Sequence, residues 1–358
     1  MSMDESQKLL GPDALQRFHA MRSDAVSAVT ARFYATPGSA YERFGPRGRE
    51  ACQEDQAFHL EFLRPALEFG LLQPMVEYLI WLGSVLAARA VPTEHLALSL
   101  EWLAEFFVSH MNAEDGALVS ARLHAARIKF LNAGSTPAQP PVPPDAWPET
   151  AEFEAALLAG NQREALSVLT RCLDRGHSLV QAELHIIQPA LYHIGAQWQA
   201  NQVSVAQEHM ATAIAQSVMT VGLLRSVLPA PVNKRVLLAC VEGNNHTVGL
   251  RMVADAFELA GWDVQYLGAN VPTVALVKQA AEWKPDLVGL SVSFAQQMSA
   301  VRAAITQLDE RLGDARPAVM IGGLAINRFR PLAGVAGADG YSADAQAAVD
   351  NAGQVVRK

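Results

Sequence analysis

The sequence has few cysteines and no long apolar run. Its 358 residues include only three cysteines, Cys52, Cys172 and Cys240, and no C-x-x-C pair. This pattern excludes a disulfide framework and a structural zinc site. No stretch approaches the roughly 18 consecutive apolar residues of a membrane span, and the N-terminus lacks the basic start and apolar run of a secretory signal. We therefore expect a cytoplasmic protein with no membrane partner.

Positive charge is also scarce. The chain has 28 Lys and Arg residues against 36 Asp and Glu residues, and its formal net charge is −8. This balance argues against a general surface for nucleic acids. We find no helix-turn-helix arrangement in residues 1–133, so no nucleic-acid partner is expected.

A proline-rich segment divides the chain. Residues 134–149, GSTPAQPPVPPDAWPE, have the clustered prolines of an extended linker. Before it, residues 1–133 have apolar side chains at helical spacings of three and four, as in EYLIWLGSVLAARA. This pattern predicts an all-α N-terminal domain.

The region after the linker has two parts with different sequence patterns. Residues 150–229 predict three or four helices, a helical-bundle cap, with breaks near Gly160, Gly176 and Asn201. Residues 230–358 then alternate short apolar runs such as VLLACV with amphipathic helices. That alternation predicts parallel β-α-β units in a doubly wound, Rossmann-like sheet, with a ligand at the carboxyl ends of the strands. The predicted fold class is thus a multidomain α and α/β protein.

The loop after the first predicted strand, VEGNNHTVGL, contains a histidine motif. It resembles the cobalamin-binding modules of methionine synthase, corrinoid methyltransfer proteins and light-sensing cobalamin repressors, whose motif is Asp/Glu-x-His-x-x-Gly. The resemblance rests on three elements in the family order, which are the loop residues Asn244, His246 and Gly249, the Ser-x-Ser residues Ser291 and Ser293, and the pair Gly322 and Gly323.

The resemblance implies a role for each element. His246 is the lower axial ligand of cobalt, because a neutral imidazole can replace the cofactor's own benzimidazole. The displaced nucleotide tail enters a slot, where the hydroxyls of Ser291 and Ser293 can bond it and Gly322 and Gly323 leave room for it. The alternative is that His246 only satisfies backbone groups of its own loop.

One position departs from the family motif. Asn244 stands where the family has an acidic residue, so it cannot take the imidazole proton of His246. A carboxylate there raises the basicity of the ligand, and we expect an amide to leave a weaker donor.

Residues 150–229 resemble the four-helix cap of the same families. In IGAQWQANQVSVAQEHM, Trp198 precedes Glu208 and His209 as in light-sensing cobalamin repressors. The resemblance implies that these three residues stand over the upper face of an adenosylcobalamin. His209 is then a candidate upper cobalt ligand after photolysis. By themselves, Trp198 fits a core aromatic and the Glu-His pair a solvated helix face.

The N-terminal domain contains a second resemblance. The segment beginning CQEDQAFHLEFLRPALEFGLLQP is similar to the core of the phycobiliproteins, which are globin-like. The resemblance implies that Asp55 bonds the pyrrole nitrogens of a biliverdin-type bilin, a linear tetrapyrrole, that Cys52 is a candidate attachment point, and that His59 lines the pocket. The alternative is a globin-like sensor or dimerisation domain without pigment.

Three functions remain open. The first is a photoreceptor of the photocobilin type, in which light breaks the cobalt-carbon bond of adenosylcobalamin, with or without a coupled bilin, and a separate effector protein reads the change. The second is a corrinoid methyl carrier for methyltransferases, and the third is a sensor of cobalamin level. We expect no catalysis by this chain alone, and we expect a homodimer.

Overall fold

The structure is a computed structural model that describes residues 8–35, 45–133 and 145–356. The chain divides into two units, Met1–Gln139 and Pro140–Lys358. Residues 134–144 of the predicted linker lie outside the described residues. No helix in the described ranges is both long and apolar enough to span a membrane.

The described part of the first unit is entirely helical. Its helices are α1 (Pro12–Tyr34), α2 (Gly45–Glu68), α3 (Gln73–Ala88), α4 (Glu94–His110) and α5 (Ala113–Ala133). Proline stands in the first turn of α1 and α3, where its missing N–H costs no hydrogen bond. The apolar faces meet in one core that includes the fully buried Phe18, Leu60, Leu79, Leu100, Phe107 and Leu123. The all-α prediction is therefore confirmed, whereas the likeness to globins stays a prediction.

The second unit begins with a helical cap, which we define as α6 to α10. Its elements are α6 (Glu149–Leu158), α7 (Gln162–Asp174), α8 (Leu179–Ala182), a π-helical turn (Glu183–Ile187), α9 (Gln188–Gln199) and α10 (Val205–Arg225). The π-helical turn joins α8 and α9 into one continuous helix.

The ends of the cap helices follow from local chemistry. Gly160, Gly176 and Asn201 have the positive φ angles that end a helix, at +69°, +91° and +58°. Ser178 and Ser204 begin the next helices with reciprocal hydrogen bonds to a glutamine three residues later. The three predicted breaks of the cap are thus confirmed.

The cap is followed by a five-stranded sheet. Its strands are β1 (Arg235–Val241), β2 (Asp263–Val271), β3 (Leu287–Ser291), β4 (Ala318–Gly322) and β5 (Gly340–Ser342). All pairs are parallel and the order is β2-β1-β3-β4-β5. The connecting helices are α11 (Val248–Leu259), α12 (Thr273–Trp283), α13 (Met298–Leu312), α14 (Leu324–Arg328), α15 (Pro331–Val335) and α16 (Ala345–Val355). The strand order reverses between β1 and β3, which is where ligands bind in such sheets.

The cap and the sheet domain share one apolar core. Met252 and Ala256 of α11 and Ala345 of α16 belong to the same buried cluster as the cap side chains Leu179, Ile187 and Val218. This shared burial holds the cap against α11 and α16 of the sheet domain.

Candidate cofactor site

The histidine loop is built around Asn244. This residue is fully buried, and its Nδ2 donates a hydrogen bond of 2.9 Å to the carbonyl oxygen of Ser291. Its Oδ1 accepts a bond of 3.1 Å from the backbone N–H of His246. The side-chain amide therefore joins the loop to the end of β3, and both its nitrogen and its oxygen are hydrogen-bonded to backbone groups.

The imidazole of His246 projects into a cavity. It packs edge to face against Phe294, with ring centroids 5.2 Å apart. Burial lowers the pKa of His246, and the carboxylate of Glu208 on the cap acts in the opposite direction. A lowered pKa keeps the imidazole neutral at pH 7, which is the form that binds a metal. Glu208 and His246 line the same cavity, Glu208 from the cap and His246 from the loop.

The cavity has a volume of about 750 Å³ and extends from the cap into the sheet domain. It is lined by the loop residues Asn245 to Gly249 and by cap residues, which are Leu184, Gln188, Leu191, Tyr192, Glu208, His209, Thr212, Ala213 and Gln216. In the sheet domain it is lined by residues of β1, β3, β4 and α16, which include Leu238, Leu287, Gly289, Ser291, Met320, Gly322 and Ala348. A cavity that penetrates a parallel sheet domain suits a ligand with a long tail.

Two glycines that line the cavity have no room for a side chain. A Cβ on Gly289 would lie 2.5 Å from Cδ2 of Leu238. Gly323 has a φ of +103°, and a Cβ there would lie 2.5 Å from the carbonyl oxygen of Val292. Gly323 is therefore required by the backbone of the β4 end as well as by the space beside it.

The predicted serines lie at the cavity wall. Ser291 and Ser293 both line it, together with Gly322 and Gly323. Ser291 is nearly buried, at 9% exposure, so its hydroxyl can reach only a group inside the cavity or the wall itself. The structure thus brings His246, the serines and the glycines to one cavity.

The cap contributes some predicted residues and not others. Glu208 and His209 line the cavity, and Nδ1 of His209 contacts the Glu208 carboxylate. Trp198 is not among the lining residues, and the cap aromatic that does line the cavity is Tyr192. The upper-face role of Trp198 therefore stays a prediction without a cavity contact.

Two residues that the sequence did not single out hold the loop in place. Gln297 donates to the Gly243 carbonyl at 2.9 Å and accepts from the backbone N–H groups of Ser293 and Phe294. The side chain of Asn270 accepts from the Gly243 N–H at 2.7 Å. These contacts join positions 27 and 54 residues apart, and no local sequence pattern indicates them.

The site fits a cofactor that already contains its metal. The described residues contain no group of three or more His, Cys, Asp and Glu side chains that could hold a bare ion. A corrin already holds its cobalt, so one neutral imidazole such as His246 is the ligand that the protein would supply. The part of the cavity among β1, β3 and β4 would hold the displaced tail.

We expect Asn244→Asp to destabilise the sheet domain by about 1–3 kcal/mol at pH 8, because a buried carboxylate would replace the N–H donor that faces the Ser291 carbonyl. Burial raises the pKa of such a carboxyl, and its protonated form can donate again. The penalty should therefore shrink as the pH falls to 5. Urea unfolding at the two pH values measures this difference.

The control is Asn245→Asp, the same change on the exposed neighbour, for which we expect a change within about 0.5 kcal/mol. The role of Asn244 as a buried link between the loop and β3 would be contradicted if both variants lost the same free energy of unfolding, or if the loss in Asn244→Asp did not depend on pH.

The first unit brings its own predicted residues together. Cys52, Asp55 and His59 lie on one side of α2 by their spacing. His59 is fully buried, which lowers its pKa to about 3, and its Nδ1 lies 2.9 Å from the Tyr78 hydroxyl. Burial and the neighbouring Glu54 raise the pKa of Asp55 to about 6. Among the described residues, Nε2 of His59 and Oε1 of Gln56 have no hydrogen-bond partner.

Comparison with known proteins identifies the second unit. Two family models, both described as a B12 binding domain, match residues 150–221 and 234–350. The chain is 32% identical over 126 residues to the HTH-type transcriptional repressor CarA of Myxococcus xanthus, covering 34% of this chain and 42% of CarA. It is 27% identical over 184 residues to the repressor CarH of the same organism, covering 51% of this chain and 60% of CarH. The chain thus spans about half the length of these two repressors.

A further relative is matched over most of its length. The chain is 30% identical over 148 residues to dimethylamine corrinoid protein 3 of Methanosarcina acetivorans, covering 40% of this chain and 68% of that protein. The two family models cover residues of the cap and of the sheet domain, which together line the cavity. Given this coverage, the two B12-binding matches and the neutral imidazole at the cavity, the chain belongs to the family of B12-binding corrinoid proteins and is a cobalamin-binding protein.

Proposed function

We propose that the protein is a light-responsive sensor that binds adenosylcobalamin between its cap and its sheet domain. The observation that carries this proposal is that Glu208 and His209 of the cap line the same cavity as His246. These two cap residues belong to the arrangement that resembles light-sensing cobalamin repressors. The two polar side-chain atoms of Asn244 bond to backbone groups, so this loop position offers the His246 imidazole no acidic partner.

The cap residues support a ligand above the corrin. Bound adenosylcobalamin would supply a cobalt-carbon bond that visible light breaks. The contact between Glu208 and Nδ1 of His209 orients that ring, so its Nε2 is the atom that would approach a metal. Gln188 and Tyr192 line the same side of the cavity and would contact the adenosyl group. Loss of that group removes their contacts, which would change how the cap packs.

The alternative is a corrinoid methyl carrier. It is favoured by the 30% identity to a dimethylamine corrinoid protein over 68% of that protein's length. A carrier must expose the upper face of the corrin to its methyltransferases, so the cap would have to move away from the His246 loop. Neither B12-binding family model covers the first unit.

We further propose that the first unit binds a bilin without a covalent bond. Asp55 would accept hydrogen bonds from the pyrrole N–H groups, and the unpartnered Nε2 of His59 and Oε1 of Gln56 offer further polar contacts. Burial and the Asp55 charge raise the pKa of Cys52. The thiol is therefore protonated at pH 7 and a poor nucleophile for attachment.

The test is the absorption spectrum of the full chain loaded with adenosylcobalamin and biliverdin, recorded in darkness and after green and red light. We expect bands of both pigments that change on illumination. His209→Ala should alter the spectrum of the illuminated cobalamin, and Asp55→Asn should weaken the red band. His193→Ala and Asp24→Asn make the same changes at exposed sites away from both groups and should behave as the unmodified chain.

A cobalamin spectrum that ignores light, in a protein that is readily methylated after reduction, would overturn the sensor proposal and support the methyl carrier. A spectrum that responds to neither light nor methylation would favour a sensor of cobalamin level. The absence of a biliverdin band would overturn the bilin proposal alone.

A further inference from the structure

Two buried carboxyl groups meet where the cap packs on α11. Glu183 belongs to the π-helical turn and Asp255 to α11, and both are 0% exposed. Each carboxyl group influences the pKa of the other, and the turn and α11 pack together in the core that the cap shares with the sheet domain. Nε of Arg251 lies 2.7 Å from Oδ1 of Asp255. Among the described residues, both oxygens of Glu183 and both oxygens of Asp255 have no hydrogen-bond partner.

Two carboxylates in contact repel each other, and one arginine neutralises only one of them. A proton on one carboxyl group removes the second charge and supplies the hydrogen for a bond between the two groups. The geometry therefore requires one proton at this contact when the cap is closed. A metal ion does not take its place, because the described residues contain no cluster of three potential ligands.

We propose that Glu183 and Asp255 share one proton and form a pH-dependent latch that holds the cap against α11. The latch adjoins residues of the cofactor cavity in sequence, because Leu184 follows Glu183 directly, Met252 lies about one helical turn before Asp255, and both line the cavity. Opening the cap exposes both carboxyl groups to water, where they ionise. The latch thus couples cap opening to proton release, whatever reaction follows.

The direction of the pH dependence follows from burial. Burial, followed by the mutual charge, raises the pKa of Glu183 well above its usual range, and burial raises the pKa of Asp255 to about 6. Arg251 lowers both pKa values, Glu258 raises that of Asp255, and Asp255 raises that of Tyr266. The closed contact is therefore strongest below the pKa of a solvated carboxyl group and weakens as the pH rises through these raised values.

The outer side of the π-helical turn contacts the start of the second unit. The His185 ring stacks on Trp147 with centroids 5.0 Å apart, and its backbone carbonyl accepts from the N–H of Trp147 at 2.9 Å. The turn therefore carries the latch residue Glu183 on one side and contacts Trp147 on the other. A movement of the turn when the latch opens would move Trp147 directly.

The test uses the apoprotein in darkness, so that its outcome does not depend on the proposed photochemistry. Hydrogen exchange of amides in residues 183–199 is compared at the same pH between the unmodified chain and Glu183→Gln. The glutamine amide can donate its N–H to Asp255 without taking up a proton from solvent. At pH 5 we expect the two proteins to exchange at the same rate. At pH 8 we expect the unmodified chain to exchange at least about tenfold faster than Glu183→Gln, because closing the cap then requires one proton, and each pH unit above the pKa costs a factor of about ten.

Infrared spectroscopy supplies a second measurement. The unmodified chain at pH 7 should show the carbonyl band of a protonated carboxylic acid, and Glu183→Gln should lose it. Asp255→Asn tests the same pair from α11 if the first variant folds poorly. Glu310→Gln, on the exposed face of α13, should keep both the band and the exchange ratio. The proposal would be overturned if Glu183→Gln and Asp255→Asn exchanged at the same rate as the unmodified chain at pH 5 and at pH 8, and if both variants kept the carboxylic acid band.

Discussion

Replacing His246 with alanine is expected to weaken cobalamin binding at least about 100-fold. Substitutions that only disturb a metal ligand from outside cost about 10- to 100-fold, and this change removes the ligand itself. The backbone N–H and carbonyl of His246, which bond to Asn244 and Cys240, remain in place. The loop should therefore keep its conformation, and the loss should report the missing imidazole.

The measurement is a titration of the apoprotein with cobalamin at pH 7, followed by absorption. The spectrum should also change, because the cofactor's own base or water replaces the imidazole. His193→Ala is the matched control, since His193 is exposed on the cap and outside the cavity. Unchanged affinity and an unchanged spectrum in His246→Ala would show that the cobalt is ligated elsewhere.

Gly323→Ala is expected to destabilise the sheet domain by about 3 kcal/mol. The φ of +103° and ψ of 176° at this residue belong to a region that is essentially restricted to glycine. The added Cβ would also meet the Val292 carbonyl oxygen at 2.5 Å, and this backbone cannot move aside like a flexible side chain. Strain and clash together cost a few kcal/mol by analogy with other such sites.

Gly353→Ala is the control for this change. Gly353 lies within α16 and is exposed, and a Cβ added there would meet no atom within 4 Å. Alanine there should stabilise the helix by about 0.5–1 kcal/mol. Urea-dependent hydrogen exchange of strand amides in residues 287–322 measures both variants in the same unit. A loss below about 1 kcal/mol in Gly323→Ala would mean that the β4 end relaxes around the new side chain.

The sequence predicted much of the second unit because its signals are local. A short apolar run with turn residues on both sides predicts a strand wherever it occurs, and VLLACV became β1. Gly160, Gly176 and Asn201 favour positive φ by themselves, so the cap helices end where the sequence indicates. The spacing of the histidine, Ser-x-Ser and Gly-Gly elements placed all three at strand ends, which parallel topology brings to one edge of the sheet.

Other features depend on contacts between distant segments. Asn244 was expected to weaken the ligand by lacking a charge, and the structure adds that its amide fastens the loop to Ser291, 47 residues away. The sequence pointed to Trp198 on the cap, whereas Tyr192 is the cap aromatic that lines the cavity. The choice depends on how the continuous helix packs over the sheet, which helical periodicity does not specify.

The sequence by itself determined the secondary structure of the second unit, the position of the loop histidine that lines the cavity, and the family. These depend on residue types, short spacings and backbone preferences that act within a few residues. Only the tertiary structure decided which side chains line the cavity, that Gln297 and Asn270 hold the loop, and that Glu183 meets Asp255 in the interior. Such contacts join residues far apart in the chain, because burial and charge act through space and only the packed fold brings them within reach.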